Sequence, residues 1–83
     1  MEKYSFKEFY NDLSIGREIE FEYKGKKYSI TKTPNGWSFS RFYEVNVNNI
    51  QNFSTYQELI TAAKIDDNLF MSVFDEIVIT TIY

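Results

Sequence analysis

The sequence predicts an α+β fold, in which an antiparallel sheet (a three-strand meander plus a C-terminal strand) is covered by two or three short helices on one face. Apolar and charged residues alternate strictly over 17–23, apolar residues recur at helical spacing over about 6–13, and β-branched residues dominate 77–82. At 83 residues the chain is long enough for one hydrophobic core and too short for two, so we expect residues 1–83 to form a single domain.

The N-terminal helix has a recognisable start in the sequence. Ser5 and Glu8 have the spacing of a capping box, with Ser5 as the N-cap. Gly16 suits the stop just beyond the helix, because glycine is common where a helix ends.

A β-hairpin is predicted next. Its first strand places glutamates on one face and apolar side chains on the other, and Lys24-Gly25 has the pattern of a two-residue turn. This turn predicts three cross-strand pairs: Ile19 with Ile30, Phe21 with Tyr28, and Glu22 with Lys27. Two apolar pairs then share one face, on which we expect the helices to pack.

The third strand is expected from Trp37 to about Tyr43, after a type I turn at 33–36. The facing of this strand depends on the length of the loop before it. A four-residue loop places Phe39 beside Ile30 in the core. A three-residue loop with a bulge places Trp37 and Phe39 on the opposite face, and the sequence leaves both arrangements open.

The second half of the chain has weaker patterns. Residues 44–53 alternate weakly and are rich in asparagine, which indicates a short edge strand followed by a loop. Ser54 is the expected N-cap of a helix over about 55–63, and Asp66-Asp67 could cap another over about 68–75. A final strand is expected over 77–82.

The composition excludes several kinds of chemistry. The chain has no His and no Cys, which removes the commonest general acid/base, the thiolate nucleophile and the commonest metal ligands, so we expect no catalytic residue, no metal and no cofactor. Asp66-Asp67-Asn68 lacks the spacing of a calcium loop. Glu18, Glu20 and Glu22 are most simply the solvated face of a strand.

The sequence has neither a membrane-spanning apolar run nor the apolar core of a signal peptide, so a cytoplasmic location is expected. Its charges are unevenly distributed. Residues 17–43 sum to +3 and residues 44–83 to −5, within a net charge of −3. A net acidic chain lacks the dominant basic surface that non-specific nucleic-acid binding usually needs.

Two groups of residues are candidates for binding a protein partner. The third strand combines aromatic rings with an arginine, a composition typical of interface hot spots, and the C-terminal half could attract a basic surface. The aromatic group is Trp37, Phe39, Arg41, Phe42 and Tyr43, and the acidic group is Asp66, Asp67, Asp75 and Glu76. Side chains alternate along a strand, so at least one or two of these rings should remain accessible.

The stretch from Gly16 to Ile30, followed by Gly36-Trp37, resembles small uncharacterised proteins of low-GC Gram-positive bacteria and their phages. The resemblance covers most of the chain and rests largely on fold pattern. It implies no catalytic residues and a setting among small accessory proteins of bacteria and mobile elements. Phage inhibitors of host defence, including anti-CRISPR proteins, are often this short and acidic.

These observations favour a non-catalytic protein-binding module. The expected role is a phage or mobile-element inhibitor of a host defence protein, as anti-CRISPR proteins are, or of another nucleic-acid-binding protein with a basic surface. The alternative is an accessory protein that binds single-stranded nucleic acid through the Lys24–Lys27 hairpin and the aromatic residues of 37–43. A small enzyme or ligand carrier ranks third, because no motif supports it.

Overall fold

The computed structural model describes residues 4–43 and 45–83, and within them it confirms the α+β class. The α-helices are α1 (Phe6–Ser14) and α2 (Tyr56–Ala62), and the 3₁₀ helices are Val47–Asn49 and Phe70–Glu76. The strands are β1 (Ile19–Tyr23), β2 (Lys26–Thr33), β3 (Gly36–Arg41), β4 (Gln51–Phe53), β5 (Lys64–Ile65), β6 (Asn68–Leu69) and β7 (Val78–Ile82).

Five strands form one antiparallel sheet in the order β4-β3-β2-β1-β7, and β5 and β6 form a separate small hairpin. The predicted meander is β1-β2-β3, and the predicted C-terminal strand is β7, which pairs with β1. None of the helices in the described part of the chain has the length and apolar character needed to cross a membrane.

The β1–β2 hairpin has the predicted register. Ile19 pairs with Ile30, Phe21 with Tyr28 and Glu22 with Lys27. Lys24 and Gly25 both have positive φ, at 50° and 79°, which is the backbone that a type I′ turn requires. The turn therefore fixes which side chains of β1 face the core.

The core lies between this face of the sheet and the helices. Phe21 is fully buried, whereas Glu20 on the opposite face is partly exposed. The ring of Phe70, from the second 3₁₀ helix, lies 5.4 Å from Phe21, 5.2 Å from Phe39 and 5.6 Å from Phe9 of α1. The sheet and the helices thus share one aromatic cluster.

Ser5 caps α1, as predicted. Its hydroxyl accepts a hydrogen bond from the Glu8 backbone N–H at 3.1 Å.

The β2–β3 connection decides the facing of the third strand. Thr33 pairs with Gly36, which leaves Pro34 and Asn35 as the exposed turn and places Phe39 opposite Ile30. Of the two arrangements open to the sequence, the chain adopts the one with Phe39 in the core. Trp37 lies on the same face and is buried as well.

The second half of the chain differs from prediction in three places. The 3₁₀ helix at Val47–Asn49 precedes strand β4, so strand and irregular segment occur in the opposite order within 44–53, and Glu44 lies outside the described residues. The N-cap of α2 is Thr55, whose hydroxyl accepts from the Glu58 N–H at 3.1 Å, one residue later than predicted. Asp66 and Asp67 form the β5–β6 turn instead of capping a helix, and a 3₁₀ helix without a side-chain cap begins at Phe70.

Candidate interaction surface

The structure separates the five predicted aromatic-strand residues into two groups. Trp37 and Phe39, which the sequence suggested for partner binding, are only 4% and 1% exposed and belong to the core. The physical reason is strand alternation, because the face that carries Phe39 is the face the helices cover. Arg41, Phe42 and Tyr43 remain at the end of β3, where Arg41 and Tyr43 are exposed and Phe42 is half-buried.

The chain leaves the sheet at Phe42 and projects an apolar segment. The Phe42 N–H donates to the Lys27 carbonyl at 2.9 Å, which holds Phe42 against β2. Tyr43 then takes a left-handed backbone with φ of 62°, unusual for a bulky residue, and is 94% exposed. Val45 and Val47 follow at 93% and 74% exposure. We call Tyr43, Val45 and Val47 the apolar loop.

The sequence pattern did not identify Val45 and Val47 as candidates for an exposed apolar surface. The alternation of valine and asparagine over 45–48 resembles an edge strand, in which one side would be covered. Here the Asn46 side chain accepts from the Asn48 backbone N–H at 3.0 Å and caps the short 3₁₀ helix, so the segment does not join the sheet. The sequence feature that could have indicated their exposure is the placement of two valines among asparagines, which are polar and common in loops.

A groove of about 470 Å³ lies beside the apolar loop. Its apolar lining comes from Tyr28, Phe39 and Ile65, and its polar lining from Ser40, Arg41, Asn48, Asn49, Gln51, Lys64, Asp66 and Asp67. The Gln51 side chain donates to the Lys64 carbonyl and accepts from the Lys64 N–H, both at 2.7 Å. This amide joins β4 to the β5–β6 hairpin and holds the two walls of the groove together.

Charges of both signs meet in this groove. Asp66 and Asp67 line it together with Arg41 and Lys64, so Arg41 of the basic segment lies close to the acidic residues of the C-terminal half at this groove. Burial raises the pKa of the Tyr28 phenol, and the negative charge of Asp66 raises it further, against a smaller lowering by Arg41. The other predicted acidic residues, Asp75 and Glu76, are exposed and do not line the groove.

A second cavity, of about 400 Å³, lies on the other side of Arg41. It brings the β1–β2 hairpin together with the end of β3, through Glu22, Gly25, Lys26, Lys27, Arg41, Phe42 and Tyr43. The lysine-rich hairpin, predicted as a separate candidate, is therefore a neighbour of Tyr43.

Two of the three glutamates of the β1 region accept hydrogen bonds from the protein itself. Glu18 accepts from the Lys32 backbone N–H at 2.8 Å, and Glu20 accepts from the Tyr83 hydroxyl at 3.0 Å, which raises the Tyr83 pKa. Glu22 lies opposite Lys27 in the register of the hairpin. In the described part of the chain, no group of three or more carboxylates is placed to hold a metal ion.

The turn at the rim of the groove is strained. Asp66 and Asp67 have φ of 49° and 67°, a left-handed backbone that glycine adopts more readily than any other residue. Glycine is the usual second residue of such a turn, and here an aspartate occupies that position.

Asp67→Gly should therefore raise the free energy of unfolding, by about 0.5–1 kcal/mol, because glycine relieves the left-handed strain. Urea unfolding followed by circular dichroism measures this. Asp67→Ala is the matched control, since it removes the same carboxylate and keeps the strain; it should not stabilise the protein. Equal stabilisation by both variants would show that the charge, and not the backbone, is responsible.

Comparison of the chain with protein-family models, with curated proteins and with solved structures found no significant match.

Proposed function

We propose that this protein is a non-catalytic protein-binding module whose working surface is the apolar loop and the charged groove beside it. In this proposal it is a small inhibitor carried by a phage or mobile element, comparable to anti-CRISPR proteins, and its target is a nucleic-acid-binding host protein with a basic surface. The absence of His and Cys from the sequence supports a binding role over a catalytic one.

The observation that carries the proposal is the exposure of the apolar loop. Tyr43 and Val45 are more than nine-tenths exposed and close in sequence, and Val47 is 74% exposed. Exposed apolar side chains grouped in this way, with polar residues around them, are typical of protein interaction sites, and tyrosine is enriched there. Burial of these three side chains by a partner would remove apolar surface from water and favour association.

The charged residues of the groove would set the orientation in which a partner binds. Asp66 and Asp67 would meet positive charge on the partner, whereas Arg41 and Lys64 in the same groove would repel it. A basic partner must therefore align its cations with the two aspartates, so the charges select a docking direction more than they add affinity. Asp75 and Glu76, both exposed, extend the acidic character of the C-terminal half.

The nucleic-acid alternative keeps one supporting observation, the closeness of the Lys24–Lys27 hairpin to Tyr43 around the second cavity. Single-strand binding relies on aromatic rings that stack on bases. Trp37 and Phe39 are buried, which leaves Phe42 and Tyr43 for that purpose. This alternative therefore ranks second.

The test is quantitative capture of a partner. Wild-type protein and a Tyr43→Ser, Val45→Ser, Val47→Ser variant are immobilised and exposed to lysate of the cells that carry the gene. The triple variant should lose the captured protein, and Tyr43→Ala alone should cost about 2–4 kcal/mol of affinity, mainly through faster dissociation. Asp66→Asn with Asp67→Asn should instead slow association and flatten its salt dependence.

Ile15→Ser is the control, because Ile15 is an apolar residue 61% exposed at the C-cap of α1 and lines neither the groove nor the second cavity. It should leave capture unchanged. Equal capture by all variants would place the working surface elsewhere, with the Lys24–Lys27 hairpin as the next candidate. The inhibitor role is tested on the captured protein, whose binding to nucleic acid should fall with wild-type chain and not with the triple variant.

A further inference from the structure

The turn between β2 and β3 contains a chemically distinct asparagine. The chain has seven asparagines, and Asn35 is the one followed by glycine. A glycine has no β-carbon to hinder attack by its own backbone nitrogen on the preceding side chain. The Asn35-Gly36 bond is therefore the place where an intramolecular reaction of an asparagine amide is least obstructed.

The surroundings of Asn35 favour the same reaction. Pro34 and Asn35 are exposed at the tip of the turn, and no hydrogen bond engages the Asn35 side chain within residues 4–43 and 45–83. Two asparagines elsewhere in the chain have side chains held by hydrogen bonds. Asn46 accepts from the Asn48 N–H at 3.0 Å, and Asn52 accepts from the Ser38 hydroxyl at 2.7 Å.

Glycine at position 36 is enforced by packing. Its φ is +145°, and a β-carbon built there would overlap the Phe53 carbonyl oxygen and lie 2.9 Å from the Cα and carbonyl oxygen of Ser54. The close approach of β3 to the end of β4 thus requires the residue that leaves Asn35 reactive.

We propose that Asn35 is a site of spontaneous covalent modification in the folded protein, and that its conversion to isoaspartate loosens the β2–β3 turn. Water or hydroxide removes the proton from the Gly36 backbone nitrogen, which attacks Cγ of Asn35. The new N–Cγ bond closes a succinimide ring as the Cγ–Nδ2 bond breaks, and ammonia leaves. Water then opens the ring at the main-chain carbonyl to give isoaspartate, or at the side-chain carbonyl to give aspartate.

The two products differ in their effect on the fold. Both add one negative charge to a chain whose net charge is −3. Isoaspartate also routes the backbone through Cγ and inserts one extra atom between residues 35 and 36. Gly36 is confined against Phe53 and Ser54, which immediately precede the Thr55 cap of α2, so this insertion displaces a tightly packed junction.

The experiment ages purified folded protein at mildly alkaline pH and follows it by tryptic peptide mapping. Cleavage after Lys32 and Arg41 releases peptide 33–41, in which Asn35 is the one asparagine. This peptide should gain about 1 Da and split into isoaspartyl and aspartyl forms. Peptide 42–64, with four asparagines, is the internal control and should convert more slowly.

Asn35→Gln is the matched variant, since it keeps a neutral amide in an exposed turn and closes the corresponding ring far less readily; it should not age at this peptide. Tm should fall in proportion to isoaspartate content in the wild type and stay constant in Asn35→Gln. If Asn35 converts only after unfolding in denaturant, or if peptide 42–64 converts equally fast, Asn35 is not a preferred site of modification in the folded protein. If Tm is unchanged in protein rich in isoaspartate, the claim that isoaspartate loosens the β2–β3 turn is wrong.

Discussion

Replacing Phe21 by alanine should lower the free energy of unfolding by about 3–5 kcal/mol, the usual range for a buried phenylalanine. Phe21 is fully buried on the central part of the sheet, where its ring stacks on Tyr28 at 5.4 Å and contacts Phe39 and Phe70. Truncation removes apolar contact from both strands and from the second 3₁₀ helix together. Because small domains are stabilised by only about 5–15 kcal/mol, the variant should be largely unfolded well below the wild-type Tm.

Thermal and urea unfolding by circular dichroism measure this effect. Tyr43→Ala is the matched control, because it removes a ring of similar size that is 94% exposed, and it should change stability by less than about 0.5 kcal/mol. Comparable losses from both substitutions would contradict the assignment of Phe21 to the core. The same unfolding measurements on the triple serine variant of the apolar loop should give a stability close to that of the wild type, so that any loss of capture reports on binding.

The N-terminal half could be predicted from sequence because its local signals agree with one another. Lys24-Gly25 admits a two-residue turn, the alternation in β1 has one apolar face, and both specify the pairing of Phe21 with Tyr28. Ser5 could be identified as a cap because its hydroxyl acts over three residues of chain. The facing of β3 could not be predicted, because it depends on whether Thr33 pairs with Gly36, and that pairing depends on packing against β4.

The C-terminal half was harder because its elements are short and its turns lack their usual residues. Asp66-Asp67 takes a left-handed turn without glycine, so the sequence pattern pointed to a helix cap. A side-chain amide, that of Gln51, replaces a backbone partner in joining β4 to the small hairpin. Neither feature has a periodic signature along the chain.

The exposure of the aromatic residues near β3 could be predicted from the sequence only in part. Alternation correctly required some rings near β3 to be accessible, and Tyr43 is exposed while Phe42 is half-buried. It did not specify which face the helices cover, so Trp37 and Phe39 were placed with the surface residues although they are buried. Arg41 lines the same groove as Asp66 although the two residues are far apart in the sequence, and the charge pattern along the chain holds no information about this proximity.

Gly36→Ala should be as damaging as loss of a core ring, although it adds only a methyl group. The backbone at position 36 has φ of +145°, which side chains rarely adopt, and the new β-carbon would overlap the Phe53 carbonyl oxygen. Strain of about 1–3 kcal/mol combines with overpacking of about 1–3 kcal/mol, so we expect a total loss of roughly 2–6 kcal/mol. The obstacle is backbone of β4 and not the end of a flexible side chain, so it cannot rotate away.

Gly25→Ala separates the two contributions. Gly25 has φ of +79°, and a β-carbon there meets nothing within 4 Å, so this variant has the conformational strain without the clash. It should cost about 1–2 kcal/mol. Urea unfolding of the two variants should give a clearly larger loss for Gly36→Ala, together with weakened amide hydrogen-exchange protection in β4, because Phe53 must move to admit the methyl group. Equal losses at the two glycines would show that β3 and β4 do not approach each other as closely as the structure requires, and would remove the packing constraint that keeps glycine after Asn35.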